Sequence, residues 1–166
     1  MVDRVVGLVG GFAPEIGLTK KTPFRIRPVQ KSDGPALALV YQACFSSKPY
    51  SEKWTLSSAQ KRVTQILKST DVKGWTAIVF GQPVAFTFLQ LREGFNGPYG
   101  EMLETAVHPY FQKQGLGLAL LKVLKGFQKN KKLKVIYTLA YRGMFDKFYR
   151  RAGFKSSKRS LIYVWK

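Results

Sequence analysis

One turn in this chain has the composition of an anion-binding site. The segment Gln112–Gly117 has the sequence Gln-Lys-Gln-Gly-Leu-Gly, follows a predicted strand and directly precedes a predicted helix. The first N–H groups of a helix have no intrahelical partner and carry the positive end of its dipole, so they bind anions. Gly115 and Gly117 let the backbone approach an oxygen atom more closely than a residue with a Cβ could. The turn therefore predicts a site for phosphate groups.

Two familiar phosphate motifs do not fit this turn. A P-loop needs Lys-Ser or Lys-Thr directly after its second glycine, whereas Leu118 follows Gly117. A dinucleotide-binding turn needs a third glycine and an acidic residue about 20 positions further on, and the chain has neither.

Side chains for nucleophilic or metal chemistry are scarce. The chain has one cysteine, Cys44, and one histidine, His108. A disulfide within the chain is excluded, most zinc ligand sets are unavailable, and a catalytic triad would have to use His108. Cys44 shares a helical spacing with Leu37 and Tyr41, which favours a core position over a nucleophile. We expect no metal site, and we expect His108 to be a loop residue.

The turn resembles the main cofactor motif of the GNAT superfamily of acetyl-CoA-dependent N-acetyltransferases. The family motif Gln/Arg-x-x-Gly-x-Gly/Ala corresponds to Gln112–Gly117, and the Val-His-Pro before it and the leucine-rich helix after it are also similar. A second block, Tyr149–Phe154, resembles the family's Tyr-x-x-x-Gly-Phe. Both blocks occur in the family's order, and the similarity covers about 140 residues from Phe24 to Trp165. The resemblance implies an acyl-CoA N-acyltransferase-like fold with acetyl-CoA as cosubstrate.

The resemblance also implies a cofactor-binding set. Backbone groups of Ala106 and Val107 would hold the pantetheine arm as a neighbouring strand would, and Tyr149 would lie near the thioester sulfur. The amides that would bind the pyrophosphate belong to Gln112, Lys113, Gln114, Gly115, Leu116 and Gly117. The family often has Asn seven residues before the tyrosine and Ala four before it, where this chain has Arg142 and Phe145. Arg142 is expected to contact a phosphate or the adenosine instead.

Acetyl transfer to an amine requires a neutral nitrogen. A lysine-like amine has a pKa of about 10.4, about 3 units above pH 7, so its deprotonation at pH 7 costs roughly 4 kcal/mol. A carboxylate can remove that proton if burial raises its pKa toward neutrality. The acidic residues of the strand before the turn are Glu101 and Glu104, and strand alternation predicts that they point to opposite faces. We therefore expect at most one of them to face the substrate.

The candidate catalytic residues are Glu101, Glu104 and Tyr149. Glu101 lies six residues before Val107, where several family members place a catalytic glutamate. Water alone as the base, or a substrate that arrives neutral, remain alternatives. The phenol of Tyr149 is protonated at pH 7 and can donate to the departing thiolate. The amide of Val107 is expected to meet the oxyanion of a tetrahedral intermediate.

The rest of the sequence predicts the elements that position these residues. Periodicity and turn residues give the order β-α-α-β-β-β-α-β-α-β, hence an α/β (α+β) fold with a mixed central sheet flanked by helices. The predicted strands are 24–27, 75–80, 83–91, 101–107, 135–140 and 160–165, and the predicted helices are one capped at 33–35, one over 57–68, one from the turn to about 128 and one over 144–151. Residues 1–20 are predicted to form an N-terminal arm, and residues 21–166 a single N-acetyltransferase domain.

The chain is strongly basic, with 28 Lys and Arg against 9 Asp and Glu and a formal charge of +19. Fifteen of the basic residues and one acidic residue lie between Lys113 and Lys166. Such a field attracts phosphates, so this basic face could bind nucleic acid. Lys122, Lys125 and Lys129 lie opposite the apolar face of their predicted helix.

The acceptor amine stays open at this point. The charge favours an anionic macromolecule, such as an aminoacyl-tRNA or a protein, and the scarcity of acids disfavours aminoglycosides and polyamines. The alternatives are a small primary amine or amino-acid-like metabolite, or a non-catalytic module that binds acetyl-CoA or RNA. No apolar run of about 18 residues is present, so we expect no membrane span. We expect a cytoplasmic protein, either a monomer or a homodimer.

Overall fold

A five-stranded mixed sheet organises the chain. The computed structural model describes residues 22–140 and 145–156. The strands are β1 (Arg25–Pro28), β2 (Val72–Val79), β3 (Gln82–Arg92), β4 (Tyr99–Val107) and β5 (Ile136–Tyr137), and the helices are α1 (Gly34–Ser46), α2 (Leu56–Lys68), α3 (Leu116–Asn130) and α4 (Asp146–Arg151). The spatial order is β1-β2-β3-β4-β5. Neighbouring strands are antiparallel except β4 and β5, which are parallel.

The predicted element order is confirmed from β1 to α4, and the α+β class with it. The largest difference in length is β5, which has two residues instead of the predicted six. After Tyr137 the chain leaves the sheet, and the hydroxyl of Thr138 donates to the carbonyl of Met102 at 3.2 Å. The predicted arm 1–20 and the predicted last strand 160–165 lie outside the described residues.

Helices cover both faces of the sheet. Phe88 of β3 packs with α1 and α2, in a cluster that includes Leu37 and Val63, whereas the adjacent Leu89 packs with Leu121 of α3 on the other face. This alternation follows from the two-residue period of a strand. Cys44 belongs to the first cluster and is 5% exposed, which confirms its predicted core position.

A β-bulge in β4 corrects the predicted orientation of its two glutamates. Phe88 pairs with Glu104 but Leu89 pairs with Met102, so Leu103 is an extra residue in β4. Directly paired residues share a face of the sheet, and an extra residue shifts the alternation by one. Glu104 therefore shares the face of Phe88, and Glu101, which pairs with Gln90, shares it too. The prediction of opposite faces was wrong, because the bulge lies between the two glutamates.

The start of α1 is fixed by an ion pair. Asp33 occupies the predicted N-cap position, yet its side chain accepts no bond from the helix. Its two carboxylate oxygens instead accept from the Arg27 guanidinium at 2.7 Å each, and one accepts from the Gln30 N–H at 2.8 Å. The Arg27 hydrogen bonds hold the pKa of Asp33 below its usual range, against the opposing effect of burial. The side chain therefore ties α1 to β1.

Candidate active site

The sheet opens between β4 and β5. The two strands pair only where Gly100 and Glu101 meet Ile136 and Tyr137. Beyond this point a cavity of about 350 Å³ lies between β4, the segment after β5, the α1–α2 loop and the start of α4. Its lining residues are Phe45, Tyr50, Glu52, Met102, Leu103, Glu104, Thr105, Thr138, Leu139, Ala140, Phe145 and Tyr149.

The backbone of β4 presents an edge toward this opening. The N–H of His108 donates to the carbonyl of Val84 at 2.9 Å, on the β3 side. Successive residues of a strand direct their backbone groups to alternate edges, so Val107 and Thr105 direct theirs away from β3. Within residues 22–140 and 145–156, β5 does not pair with them. Ala106 pairs with Phe86, and the same alternation turns its backbone groups toward β3.

The glycine turn has the backbone conformation expected of an anion site. Lys113 and Gly115 have φ values of 61° and 93°, in the left-handed region. Gly115 is the N-cap of α3, and no described side chain caps the helix there. A Cβ on Gly115 would meet nothing within 4 Å, so the positive φ, not crowding, is the reason for glycine. The first amides of α3 are thus left without a side-chain acceptor, as anion binding requires.

Side chains of the turn bind the backbone around it. The Gln112 amide donates to the carbonyl of Val107 at 3.1 Å and so connects the turn to the end of β4. The Gln114 side-chain oxygen accepts from the N–H of Thr22 at 3.4 Å. The Gln112 contact holds the turn beside the edge of β4, and the Gln114 contact joins it to the segment before β1.

Gly117 permits close packing of α4 on the start of α3. A Cβ built on Gly117 would lie 3.2 Å from the ring of Phe148 and 3.6 Å from the side chain of Val107. Phe148 precedes Tyr149, whose ring packs against Phe148 and Phe154 at centroid distances of 5.2 and 5.6 Å. Because Gly117 has no side chain, Phe148 packs directly on the start of α3, and the adjacent Tyr149 lies at the cavity wall.

Glu104 is a largely buried carboxylate at the cavity wall. Its side chain is 15% exposed. Its Oε1 accepts from Arg62 Nη2 at 2.9 Å and from the Tyr41 hydroxyl at 3.2 Å. Burial raises the pKa of Glu104, and the Glu52 charge adds to this effect, while Arg62 and Tyr41 oppose it. A carboxylate with a raised pKa is suited to accept a proton near neutral pH.

Tyr149 faces the same cavity from α4. Burial raises the pKa of its phenol, and the Glu104 charge adds to the rise, while a hydrogen bond with Thr138 opposes it. The phenol therefore stays protonated at neutral pH and can donate a proton.

Glu101 does not line the cavity. Its Oε2 accepts from Arg92 Nε at 2.8 Å, at the far end of β4. Thus the structure brings Glu104 and Tyr149 together and leaves Glu101 in an ion pair. Arg142 lies outside the described residues. His108 is the N-cap of a short 3-10 turn, and its Nδ1 accepts from the Tyr110 N–H at 3.3 Å.

Sequence reasoning missed Tyr41, Tyr50, Glu52 and Arg62. Tyr41 and Arg62 lie on helices whose periodicity marks the buried face but not the partner across it. Glu52 and Tyr50 lie in the α1–α2 loop, which has no periodic pattern. The only available signal for Glu52 was the rarity of acidic residues in so basic a chain.

A mixed sheet that opens beside a glycine turn at a helix start is the arrangement of the acyl-CoA N-acyltransferase-like class. The sequence profile of the acetyltransferase (GNAT) domain matches residues 72–156, and the chain belongs to this family. The earlier resemblance is therefore confirmed. No curated protein sequence matches the chain.

Solved structures of GNAT acetyltransferases share the fold. A possible acetyltransferase from Clostridium difficile 630 superposes with a TM-score of 0.75 at 14% identity, over 86% of this chain and 97% of the other. The aminoglycoside N-acetyltransferase AAC(6')-Iy in complex with CoA gives 0.69 at 16%, over 89% and 98%. The ribosomal-protein-alanine N-acetyltransferase from Brucella melitensis biovar Abortus 2308 gives 0.67 at 17%, over 87% and 99%.

Two features are absent from the described residues. None of their helices has the length and apolar character needed to cross a membrane. No group of three or more His, Cys, Asp or Glu side chains among them could hold a metal ion.

Proposed function

We propose that the chain transfers the acetyl group of acetyl-CoA to a primary amine by direct attack. The observation that carries this proposal is the pair Glu104 and Tyr149 on one cavity, the first with a pKa raised toward the range of a base and the second protonated. One proton acceptor and one proton donor are the groups that such a transfer requires.

The residues around the opening fit acetyl-CoA, which supplies the acetyl thioester when it is bound. No side chain in the described part of the chain accepts from the amides at the start of α3, so these amides suit a diphosphate. The backbone groups of Val107 and Thr105, which point away from β3, suit an extended arm with amide groups of its own. We assign the oxyanion contact to the N–H of Val107.

Glu104 is the proposed base. It receives the proton of the amine nitrogen, directly or through a water, so that the nitrogen can attack as a neutral nucleophile. The penalty it offsets is roughly 4 kcal/mol for an amine of pKa about 10.4 at pH 7. Arg62 and Tyr41 hold the carboxylate at the cavity wall by three hydrogen bonds to Oε1, two from Arg62 at 2.9 and 3.3 Å and one from Tyr41 at 3.2 Å.

Tyr149 is the proposed acid. Its hydroxyl donates a proton to the departing thiolate sulfur. The nitrogen loses its second proton as the tetrahedral intermediate collapses, and this proton restores the phenol through water, so the one net proton of the reaction leaves from Glu104 to solvent. Its ring is held by Phe148 and Phe154, so the hydroxyl keeps a fixed direction. Arg142 stays a predicted phosphate or adenosine contact.

Two features of the protein bear on the acceptor class. Lys122, Lys125 and Lys129 are all exposed on α3, which keeps a nucleic-acid-bound or otherwise anionic acceptor as a prediction. The cavity itself favours a small primary amine, because its lining is largely apolar and aromatic and includes two carboxylates. The proposed enzyme is cytoplasmic, as predicted from the sequence.

Transfer is tested with the full chain and acetyl-CoA labelled in the acetyl group. A panel of primary amines is incubated with the protein, and CoA release and N-acetylated product are measured in parallel. We expect both to appear in equal amounts. Binding of acetyl-CoA with no release of CoA for any amine would instead identify a non-catalytic acetyl-CoA-binding module.

A further inference from the structure

The α1–α2 loop places a second carboxylate, Glu52, at the cavity. The loop is fastened to α1, since the N–H of Glu52 donates to the carbonyl of Phe45 at 2.9 Å and the Gln42 amide donates to the carbonyl of Trp54 at 3.3 Å. One oxygen of Glu52 accepts from the indole N–H of Trp54. An ionised carboxylate has about four acceptor positions, so Glu52 keeps capacity for a ligand.

Among the described residues, no cation balances the negative charge that Glu52 brings to the cavity. The charged lining residues are Glu52 and Glu104, and Glu104 is paired with Arg62 at 2.9 Å. Among residues 22–140 and 145–156, no basic side chain forms a salt bridge with Glu52. The charge of Glu52 acts across the cavity, because it raises the pKa of both Glu104 and Tyr50.

Aromatic rings surround this charge. Tyr50 stacks on Phe145 at a centroid distance of 5.2 Å and an interplanar angle of 27°, and it meets Phe45 edge-on at 4.8 Å. The ring centroid of Tyr149 lies 6.5 Å from that of Phe145. The faces of aromatic rings attract cations, and their edges and faces also bind apolar groups. A carboxylate within such a ring cluster suits an ammonium group attached to an apolar body.

We propose that Glu52 selects the acceptor as a primary ammonium ion with a single positive charge and an aromatic or apolar body. This inference rests on the proposed function and names the substrate class of the same site. Glu52 would hold the ammonium while Glu104 receives one proton from its nitrogen.

The charge balance argues against two other kinds of ligand, a polycation and a neutral molecule. A polycation would leave further positive charges unpaired, since only one cavity carboxylate lacks a partner among the described residues, and the formal charge of +19 repels it at long range. A neutral ligand of the same shape would desolvate the charge of Glu52 without supplying a countercharge. The expected order of affinity is therefore monoamine, then polyamine and neutral analogue.

The test compares three ligands of defined charge by calorimetry on the full chain with CoA present. 2-Phenylethylamine carries one charge, spermidine carries several, and 2-phenylethanol is the neutral analogue. We expect 2-phenylethylamine to bind at least about tenfold more tightly than either of the other two ligands. This ratio corresponds to the free energy of one hydrogen bond to a charged group. Equal affinities, tighter binding of spermidine, or no binding of 2-phenylethylamine would each overturn the inference.

Variants assign the preference to Glu52. Glu52→Gln keeps an acceptor for Trp54 but removes the charge, and it should abolish the preference for 2-phenylethylamine over 2-phenylethanol. Glu52→Asp keeps the charge and should retain part of the preference. The matched control is Glu93→Gln, an exposed acid outside the cavity, which should behave as the wild type. A preference that survives Glu52→Gln contradicts the assignment.

A kinetic readout separates this inference from the proposed function. Glu52→Gln should raise the KM for 2-phenylethylamine about tenfold and leave kcat within about threefold, because Glu52 binds but does not transfer protons. Absence of acetyl transfer to every amine, with the ammonium preference intact, overturns the proposed function alone. Transfer to spermidine in preference to 2-phenylethylamine overturns the inference alone.

Discussion

Replacement of Glu104 by glutamine tests the proposed base most directly. The substitution keeps the volume and one acceptor oxygen for Arg62 and Tyr41 but removes the proton-accepting charge. A positioned general base contributes about 10²- to 10⁴-fold, and the unfavourable deprotonation of the amine at pH 7 accounts for roughly 4 kcal/mol. Because water can reach an open cavity and replace part of this function, we expect a loss near the lower limit. kcat/KM should fall about 100-fold at pH 7, or about 2.7 kcal/mol.

The pH dependence gives the sharper form of this test. In the wild type, kcat/KM should fall as pH drops through the pKa of Glu104, which is raised by burial, because only the carboxylate accepts a proton. The groups that face Glu104 are Tyr41, Arg62, Glu52 and Tyr149, and the two tyrosines stay protonated through neutral pH. Glu104→Gln should lack this acid limb. The ratio of kcat/KM for wild type to that for the variant should shrink as pH approaches about 10.4, the pKa of the amine, because the amine then becomes neutral without a base.

CoA release with 2-phenylethylamine or the best amine of the panel serves as the assay, and thermal unfolding verifies that each variant is folded. Glu101→Gln is the rival substitution, because that carboxylate is bound to Arg92 away from the cavity, and kcat/KM should change less than about threefold. Equal losses for the two variants, or a wild-type pH profile in Glu104→Gln, would refute the reasoning.

Three further outcomes are expected. Tyr149→Phe should lower kcat about tenfold or more with little change in the KM for acetyl-CoA, since the ring contacts remain and only the donated proton is lost; unchanged steady-state kcat would remove Tyr149 as the acid. Gly115→Ala should lower the free energy of unfolding by roughly 1 kcal/mol and weaken acetyl-CoA binding in calorimetry, because its φ of 93° is unfavourable for alanine; unchanged values of both would contradict this. Asp33→Asn should destabilise the fold by about 2 kcal/mol at pH 7 in denaturant titrations. The pKa of Asp33 is lower in the folded state than its unfolded-state value of about 3.9, so the ion pair stabilises the fold above that pH. The difference in stability between wild type and Asp33→Asn should therefore disappear as pH falls from about 4 through the folded-state pKa; a constant difference would argue against the Arg27 pair.

The sequence was sufficient for the elements whose apolar spacing is regular. The apolar spacing after the turn predicted a helix with one buried face, and Leu116, Leu120 and Leu124 of that face are each 1% exposed or less. The hairpin between β2 and β3 was predicted around Gly81 and Gln82, but its two turn residues are Phe80 and Gly81, both with positive φ. Local composition identifies such a turn without fixing its register, which depends on pairing of the whole strands.

The candidate site could be predicted only where it is local in sequence. The turn from Gln112 to Gly117 combines the end of a strand, two glycines and the start of a helix in one segment, so its conformation follows from residues that are adjacent in sequence. The orientation of Glu104 depends on a bulge set by pairing with β3, and strict alternation therefore placed it relative to Glu101 incorrectly. The contact of Glu104 with Arg62 joins residues 42 positions apart, which no local pattern reports.

The glycine at position 117 makes three parts of the protein mechanically interdependent. Its bare Cα faces the ring of Phe148 and the side chain of Val107. A methyl group there would require the ring to move by a few tenths of an ångström, and a larger group would displace α4 and with it the phenol of Tyr149. The amides proposed to bind the diphosphate and the hydroxyl proposed to protonate the leaving thiolate are therefore both positioned by the packing around Gly117. A substitution at Gly117 that displaces one of them should displace the other, so it should alter the affinity for acetyl-CoA and the turnover together.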